Sequence, residues 1–435
     1  MFQILKNGFQ DKDIRSRLAF TAIMLIVFRI GASITVPGVN AAGIQGLAES
    51  GLFSLLNTLG GGALSSYSIF SLGVSPYITA SIIIQLLQME IIPSFTEWSK
   101  QGEVGRRKLN RWTRYFAVAI GFFQALAISI GFNSLSALGL IDNPGFVTYL
   151  LIALFMTAGS MFVVWIGEQI TEYGIGNGTS IIIFAGILAQ VPSELTSYYQ
   201  RNIVGATSSE LNHQMIYAGI FVLVFILLIM FVIFMSQAER QIPVRYSKRA
   251  NSASQKSHLP LKINSAGVIP VIFASSLIMV PQTILGLFAA DYSEASWYKI
   301  LSTIFNLEEP AGIAIYAIVI ILFTFFYAHI QINPERAAEN LQKAGGYIPS
   351  IRPGLATKEY LQKMLNRLSA VGSIFLMGVA VLPLLGAYFF DMPRSIALGG
   401  TSLLIVVGVA LDTAKQIEGR TIKRQYVGFI HNEKD

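Results

Sequence analysis

The chain contains no cysteine, which excludes disulfides, thiolate nucleophiles and Cys-ligated metals. Its four histidines (His213, His258, His329 and His431) are dispersed, with no spacing that suggests a metal site. Charge is also scarce: 13% of residues are charged, about half the roughly 25% of soluble domains, while 53% are hydrophobic. With a mean hydropathy of +0.58, this composition describes a polytopic membrane protein. No GxSxG or HExxH motif occurs, and no pair of aspartates lies within the apolar segments, so neither catalysis nor a cofactor is expected. Span interiors hold almost no ionisable side chains; Arg29 is the exception, roughly 16 Å from the start of its apolar run at 1.5 Å per residue, while Glu90 and His329 stand at span ends. A charge at the bilayer centre costs at least about 2.5 kcal/mol. Without an intramembrane carboxylate, Arg29 reads as a structural anchor rather than a proton relay.

Ten apolar segments of spanning length or nearly so are present: Leu18–Val36, Pro76–Ile92, Tyr115–Phe132, Phe146–Ile166, Ile175–Val191, Ile216–Met235, Val268–Phe288, Ile313–His329, Val371–Phe390 and Ile396–Leu411. The first is not expected to be a cleavable signal, because no small-residue cleavage site follows it convincingly. The basic residues alternate sharply between connections. Of 31 Lys and Arg, 27 fall in the N-terminal stretch, the loops after spans two, six and eight, and the C-terminal tail. Arg201, Lys299 and Arg394 are all that the intervening loops hold. Positive charge concentrates on the cytoplasmic side, so both termini and the large basic loops are expected in the cytoplasm.

Five spans precede the connection at 192–214 and five follow it, which places the two halves in opposite orientations. The expected organisation is an N-terminal half over 1–191, an external hinge loop over 192–214 and a C-terminal half over 215–412. Cytoplasmic loops occupy 236–266 and 333–370, and a cytoplasmic tail covers 413–435. This all-α architecture suits an inverted repeat with a pathway between its halves.

One stretch is unlike the rest. From Gly60 the sequence reads GGGALSSYSIFSLGVSPYITASIIIQLLQM, and Gly73 and Pro76 interrupt it before the apolar run begins. Residues 60–73 therefore form a separate piece, with a half-helix expected near Ala63–Ser71, about 13 Å long and too short to cross a bilayer. Broken backbone at membrane depth is tolerated only where protein or water surrounds it, so the segment either lines a pathway or packs as a re-entrant turn. The GIGNG run at Gly174–Gly178 suggests a second irregular entry. Polar residues within spans are neutral: Thr79, Ser81, Gln85, Asn177, Thr179, Ser180, Ser275 and Ser276. Taken singly, each is explained by helix–helix contact.

Six strings identify a family. SLGVSPYITASIIIQLL (Ser71–Leu87), GEVGRRKLNRWTRY (Gly102–Tyr115), GEQITEYGIGNGTSIIIFAGI (Gly167–Ile187), LPLKINSAGVIPVIFASS (Leu259–Ser276), NPERAAENLQKAGGYIPSIRPG (Asn333–Gly354) and GGTSLLIVV (Gly399–Val407) resemble, in this order, the bacterial branch of the SecY family of protein-conducting channels. The resemblance implies ten transmembrane helices around a central hourglass pore in the plasma membrane, with no enzymatic activity, metal or cofactor. It implies an apolar ring at the pore waist from Val74, Ile78, Thr179, Ile183, Ile272 and Ile405. Thr179 departs from the aliphatic pattern. It implies a plug on the external side from Ala63, Leu64, Ser65, Ser66, Tyr67, Ser68, Ile69 and Phe70. The second and seventh spans would form a lateral gate, with Thr79, Gln85, Ser276 and Val280 at the seam.

The same resemblance implies that Arg245, Lys248, Arg249 and Lys256 in one basic loop, and Lys343, Arg352 and Lys358 in the other, meet the SecA motor ATPase or the ribosome. SecE and SecG would be small membrane partners. Signal peptides and preproteins would be the cargo, with membrane lipids receiving hydrophobic segments. Read without the resemblance, the ring isoleucines are ordinary core or lipid-facing residues and the loop cations set topology. The competing class is a secondary transporter of inverted-repeat type, which would need an intramembrane carboxylate or a substrate counter-charge. A structural scaffold is the third reading, against which the broken stretches speak.

Overall fold

The computed structural model describes residues 11–39, 57, 60–89, 91–135, 141, 144–202, 208–246, 257–292, 294–307, 309–390 and 399–431. These hold thirteen helices and three strands. In chain order the elements begin with α1 (Lys12–Ser33), α2 (Ser75–Leu87), α3 (Pro93–Lys100), α4 (Glu103–Leu135), α5 (Phe146–Tyr173), α6 (Gly178–Asn202) and α7 (Ser208–Gln237). Then come β1 (Glu239–Tyr246), β2 (Ser257–Lys262), α8 (Ile269–Tyr292), α9 (Ser296–Phe305), α10 (Pro310–Gln331), α11 (Pro334–Lys343), β3 (Gly346–Tyr347), α12 (Leu355–Phe390) and α13 (Gly399–His431).

Among the described residues, seven helices are long and apolar enough to cross a membrane, and three shorter apolar ones run over Ser75–Leu87, Gly178–Ser193 and Val222–Gln237. The ten match the ten expected spans in order. Their ends differ from the hydropathy boundaries because polar turns can continue a helix beyond the bilayer. The stretch 192–214, expected as an external loop, is largely helical: α6 runs through Pro192 to Asn202 and α7 begins at Ser208. Helix α12 likewise begins at Leu355, well inside the expected loop 333–370.

The chain forms two compact units. The first comprises Met1–Ala206, Ser275–Gly312 and Ile405–Asp435, and the second Thr207–Ala274 and Ile313–Leu404. In the first, α4 packs between α2 and α5, while α1 and α6 lie against α5. Asp11 caps α1 by accepting from the Asp13 amide at 3.0 Å, satisfying one of the free N–H groups of its first turn. On α4, Arg114 grips Glu168 of α5 through two bonds of 3.0 and 2.9 Å, a bidentate pair that fixes the two helices at their charged ends.

In the second unit, the two long basic loops are joined. Strand β1 pairs antiparallel with β2 on one side and with β3 on the other, so residues from both loops share one sheet in the order β2-β1-β3. The alternation of buried Ile242 and Val244 along β1 supplies one face, and Leu261, Ala338, Leu341, Ile348 and Leu361 complete the core beneath it. Helix α11 opens on Pro334 after Asn333, whose side chain accepts from the amides of Glu335 and Arg336. This small α/β element stands apart from the otherwise helical architecture.

Candidate functional site

The glycine-rich stretch is the centre of the first unit. Residues 60–74 follow one another as tight turns, in place of the expected half-helix. Amide-to-carbonyl bonds join Tyr67 to Leu64, Ser71 to Ser68, Gly73 to Phe70 and Ser75 to Leu72, each closing a single turn. The cause is tertiary. The backbone at 67–69 leaves the turn pattern to pair with the end of α1: the Val36 amide donates to the Tyr67 carbonyl and the Ile69 amide to the Ile34 carbonyl, both at 3.0 Å. Gly61 and Gly62 take φ of +71° and +80°, conformations that only glycine adopts without strain.

Nor is the segment held loosely, as its small residues suggest. Leu64, Tyr67 and Ser68 are almost fully buried. The Tyr67 hydroxyl donates to Ser129 Oγ on α4 at 2.8 Å. Phe70 stacks between Phe28 of α1 and Phe162 of α5, with ring centroids 6.1 and 6.0 Å away. Three glycines on three helices make room for it. A Cβ at Gly31 would lie 2.0 Å from Phe70 Cε2, one at Gly159 would lie 2.1 Å from the Ile69 carbonyl oxygen, and one at Gly186 would lie 2.8 Å from Gly61 Cα. Arg29 extends from α1 to donate to the Gly61 carbonyl at 3.1 Å, which gives the anchoring role expected of it a partner in the glycine turn. Beside this bond a cavity of about 260 Å³ opens between Arg29, Ser33, Gly62 and Ser66.

Val74 and Ile78 sit at the head of α2 and are buried, as are Ile183 on α6 and Ile405 on α13 in the same unit. Ile272 is buried in the second unit. Thr179 is half-buried and donates to Asn177 Oδ1 at 3.0 Å, so its hydroxyl serves the cap of α6. Asn177 also accepts from the Ser180 amide at 3.3 Å. The GIGNG entry is irregular as expected, and side chains satisfy its backbone. The Ile175 amide donates to Thr21, Gly176 to Gln416 and Gly178 to Thr171. Buried backbone outside a helix needs such partners. Thr21 and Gln416 lie in none of the quoted strings, and Thr171 lies in one that gave it no role.

Of the four seam candidates, Thr79 bonds back to the Ser75 carbonyl within its own helix, and Gln85 reaches Ser81 while its own Oε1 is buried without a partner among the described residues. Ser276 is fully buried with its hydroxyl likewise unpartnered among the described residues, and Val280 is half-buried. The polar contact that does join α2 to α8 was not foreseen: Ser75 donates to Met279 Sδ at 3.2 Å. Met279 lies one helical turn from Ser276 and beside Val280, and Ser75 one turn before Thr79, so the candidates flank this pair. A thioether is a weak acceptor, which makes the joint an easily broken one.

The basic loop residues divide into three groups. Lys248, Arg249 and Lys256 lie outside the described residues. Lys343 pairs with Glu339 at 3.2 Å and Lys358 with Glu335 at 3.0 Å. Arg245 and Arg352 are exposed, and neither has an ion pair among the described residues. Arg245 faces Tyr347 across the sheet, which brings the two loops' cations onto one element. Arg352 stands on a braced tip: the buried Thr357 donates through Oγ1 to its carbonyl at 2.9 Å, and Ile351 bonds to the carbonyl of the buried Ile348. Replacing Thr357 with Val removes one bond of about 1 kcal/mol, so amide exchange across residues 351–358 is expected to quicken about fivefold with the fold intact. Hydrogen-exchange mass spectrometry checks this, and unchanged exchange would show that the bond does not brace the tip.

Known proteins resemble this chain over nearly its whole length. The family profile described as SecY matches residues 68–414. A curated relative from Lactobacillus kefiranofaciens subsp. kefiranofaciens, named protein translocase subunit SecY 1, is 53% identical over 431 residues, covering 99% of this chain and all of its own length. Among solved structures, one reported as "The plug domain of the SecY protein stablizes the closed state of the translocation channel and maintains a membrane seal" superposes with a TM-score of 0.64 at 18% identity, covering 93% of this chain and 91% of that one. Another, reported as Sec61 in the canine ribosome-channel complex from the endoplasmic reticulum, gives a TM-score of 0.61 at 18% identity over the same shares.

Proposed function

The chain belongs to the SecY family, and from that premise we propose that it is the channel subunit of a plasma-membrane protein translocase that passes unfolded secretory polypeptides and releases hydrophobic segments sideways into lipid. The observation that carries the reading is the buried turn segment 63–70, seated among α1, α4 and α5 of a ten-span protein and anchored at its glycine end by Arg29. A plug of this kind closes a path on demand.

A translocating chain presents every side-chain type, so its path cannot rely on specific hydrogen bonds. We assign Val74, Ile78, Ile183, Ile272 and Ile405 to an apolar constriction, with Thr179 at its edge. A narrow apolar ring excludes ions by dewetting, yet flexible aliphatic side chains can fit round a passing peptide. The seam between α2 and α8, closed by Ser75–Met279, is the exit for a segment of about 20 apolar residues, whose transfer to lipid is favourable. The channel supplies the path and its partners supply the energy. The sheet element bearing Arg245 and Arg352 is assigned as the dock for the SecA motor ATPase or the ribosome, on the cytoplasmic side with both termini. SecE and SecG are assigned as small flanking subunits.

Because the chain has no native cysteine, single cysteines at Ile78 and Ile183 can report the path directly. A stalled precursor is expected to crosslink to both, whereas crosslinking only to exposed positions such as Ile23 would exclude a path through the ring. Replacing Ile78, Ile183, Ile272 and Ile405 together with Asn should wet the constriction and raise ion conductance of purified channels; conductance equal to the parent's would remove the ring assignment.

A further inference from the structure

Helix α9 connects two spans, α8 and α10, and has no part in the plug, ring, seam or sheet element. Its ten residues divide into three faces. Tyr298 is buried, Ser302 and Phe305 are half-buried, and these three recur at helical spacing on the face turned to the protein. Ser296, Lys299 and Thr303 are exposed and form a polar stripe. Trp297, Ile300, Leu301 and Ile304 form a third stripe at i, i+3, i+4 and i+7. At 100° per residue the three stripes are centred about 120° apart. The third is wholly apolar, yet three of its four side chains are open, Trp297 at 44% exposed, Ile300 at 59% and Leu301 at 38%, while Ile304 is half-buried. An amphipathic surface helix in water has one apolar face and buries it. This helix has two, and only one is buried.

What covers the second is shown by its continuity. On α8, the exposed side chains Leu277, Ile284 and Phe288 run along one line of a membrane-spanning helix, so that line faces lipid. Phe288 and Tyr292 both contact the Trp297 ring, at centroid distances of 6.0 and 5.7 Å, and carry the line onto α9 without a break. The helix is also fastened to the same span. Buried Gln282, inside the apolar span of α8, donates to the Phe305 carbonyl at 2.6 Å, so the end of α9 is drawn back along α8 toward the bilayer. Trp and Tyr concentrate at that level because one end of each ring system is apolar and the other polar.

We infer that α9 is an interfacial anchor, set at the membrane–water boundary and running back along α8, with Trp297, Ile300, Leu301 and Ile304 turned to the acyl region and Ser296, Lys299 and Thr303 to the headgroups. The recognised surface is the lipid boundary itself and needs no anionic lipid, since Lys299, the only cation on the helix, is paired with Glu294 at 2.7 Å.

The absence of native cysteine makes the test clean. Single cysteines at positions 296–304 of the full chain carry a nitroxide, and the channel is reconstituted in phosphatidylcholine vesicles. Collision with oxygen, which concentrates in lipid, is compared with collision with a water-soluble nickel chelate. Positions 297, 300, 301 and 304 should favour oxygen, as Ile284 does as the lipid reference, in contrast to Glu294 as the water reference. Positions 296, 299 and 303 should favour nickel, and 302 should be shielded from both. The pattern should not change when a third of the lipid is phosphatidylglycerol. Nickel access at 297 and 300 equal to that at Glu294 would place the helix in water and overturn the inference. Shielding of those positions from both reagents would overturn it too, since a protein subunit would then cover the stripe.

Discussion

Gly159→Leu is expected to leave the channel folded but leaking, with ion flux through the resting protein raised on the order of ten- to hundredfold. At this position a Cβ alone would sit 2.1 Å from the Ile69 carbonyl oxygen and 2.8 Å from its carbonyl carbon. Those are backbone atoms, so no side-chain rotation relieves the overlap, and the 63–70 segment must move. Overpacking of this kind costs typically 1–3 kcal/mol, and each 1.4 kcal/mol shifts the balance between the seated and displaced segment about tenfold. Helix α5 itself gains from losing a glycine, which favours retention of the fold. Gly219→Leu is the control, because a Cβ there meets nothing within 4 Å. Conductance of purified channels in planar bilayers provides the measurement. Parental conductance in Gly159→Leu, with the segment shown displaced by crosslinking, would mean that residues 63–70 are not the seal. A weaker effect in the same direction is expected from Arg29→Gln, which keeps polarity but removes the charge that holds the Gly61 carbonyl.

How much of this could be read from the sequence differs from feature to feature. The ten spans were legible because membrane burial demands long apolar runs, and the one-sided cations ordered them. The position of the irregular segment at 60–74 was legible from Gly60–Gly62, Gly73 and Pro76, since local breaks announce themselves in local sequence. Its form was not. Turns replace the half-helix because Ile34 and Val36 compete for its backbone, and because glycines 31, 159 and 186 on three other helices let it sink between them. No window over 60–74 contains that information. The sheet was within reach: ERQIPVRY buries Ile242 and Val244 in alternation, a period-two signal overshadowed by the reading of its cations as topology markers. The Ser75–Met279 joint lay beyond sequence reading, because either residue is unremarkable until the two helices are set side by side.

The second large effect is expected at the tip of the sheet element. Arg352→Glu should reduce motor-driven translocation at least about thirtyfold, while insertion, span orientation and assembly stay normal. Pro353 holds Arg352 out of the helical region, Ser350 and Gly354 turn the chain with φ of +69° and +96°, and Thr357 clamps the Arg352 carbonyl. The guanidinium is thus presented on backbone that does not yield, which is what transmission of a mechanical push requires. Its planar fork engages carboxylates or phosphates two bonds at a time, and losing one partner of such a desolvated pair costs about 2–5 kcal/mol. Lys343 and Lys358 are close in sequence but already paired with Glu339 and Glu335. Charge reversal at either is expected to cost far less, because its partner glutamate, not the motor, loses the contact. Topology is insulated, since six Lys and Arg lie between Arg336 and Arg367 and one can be lost. ATP-driven import of a preprotein into vesicles holding the reconstituted channel and motor, with protease protection for orientation, separates the outcomes. Normal import by Arg352→Glu would remove the tip from the mechanism. Equal losses at Arg352, Lys343 and Lys358 would replace a specific contact with a diffuse electrostatic attraction, which rising ionic strength should then abolish in the parent channel as well.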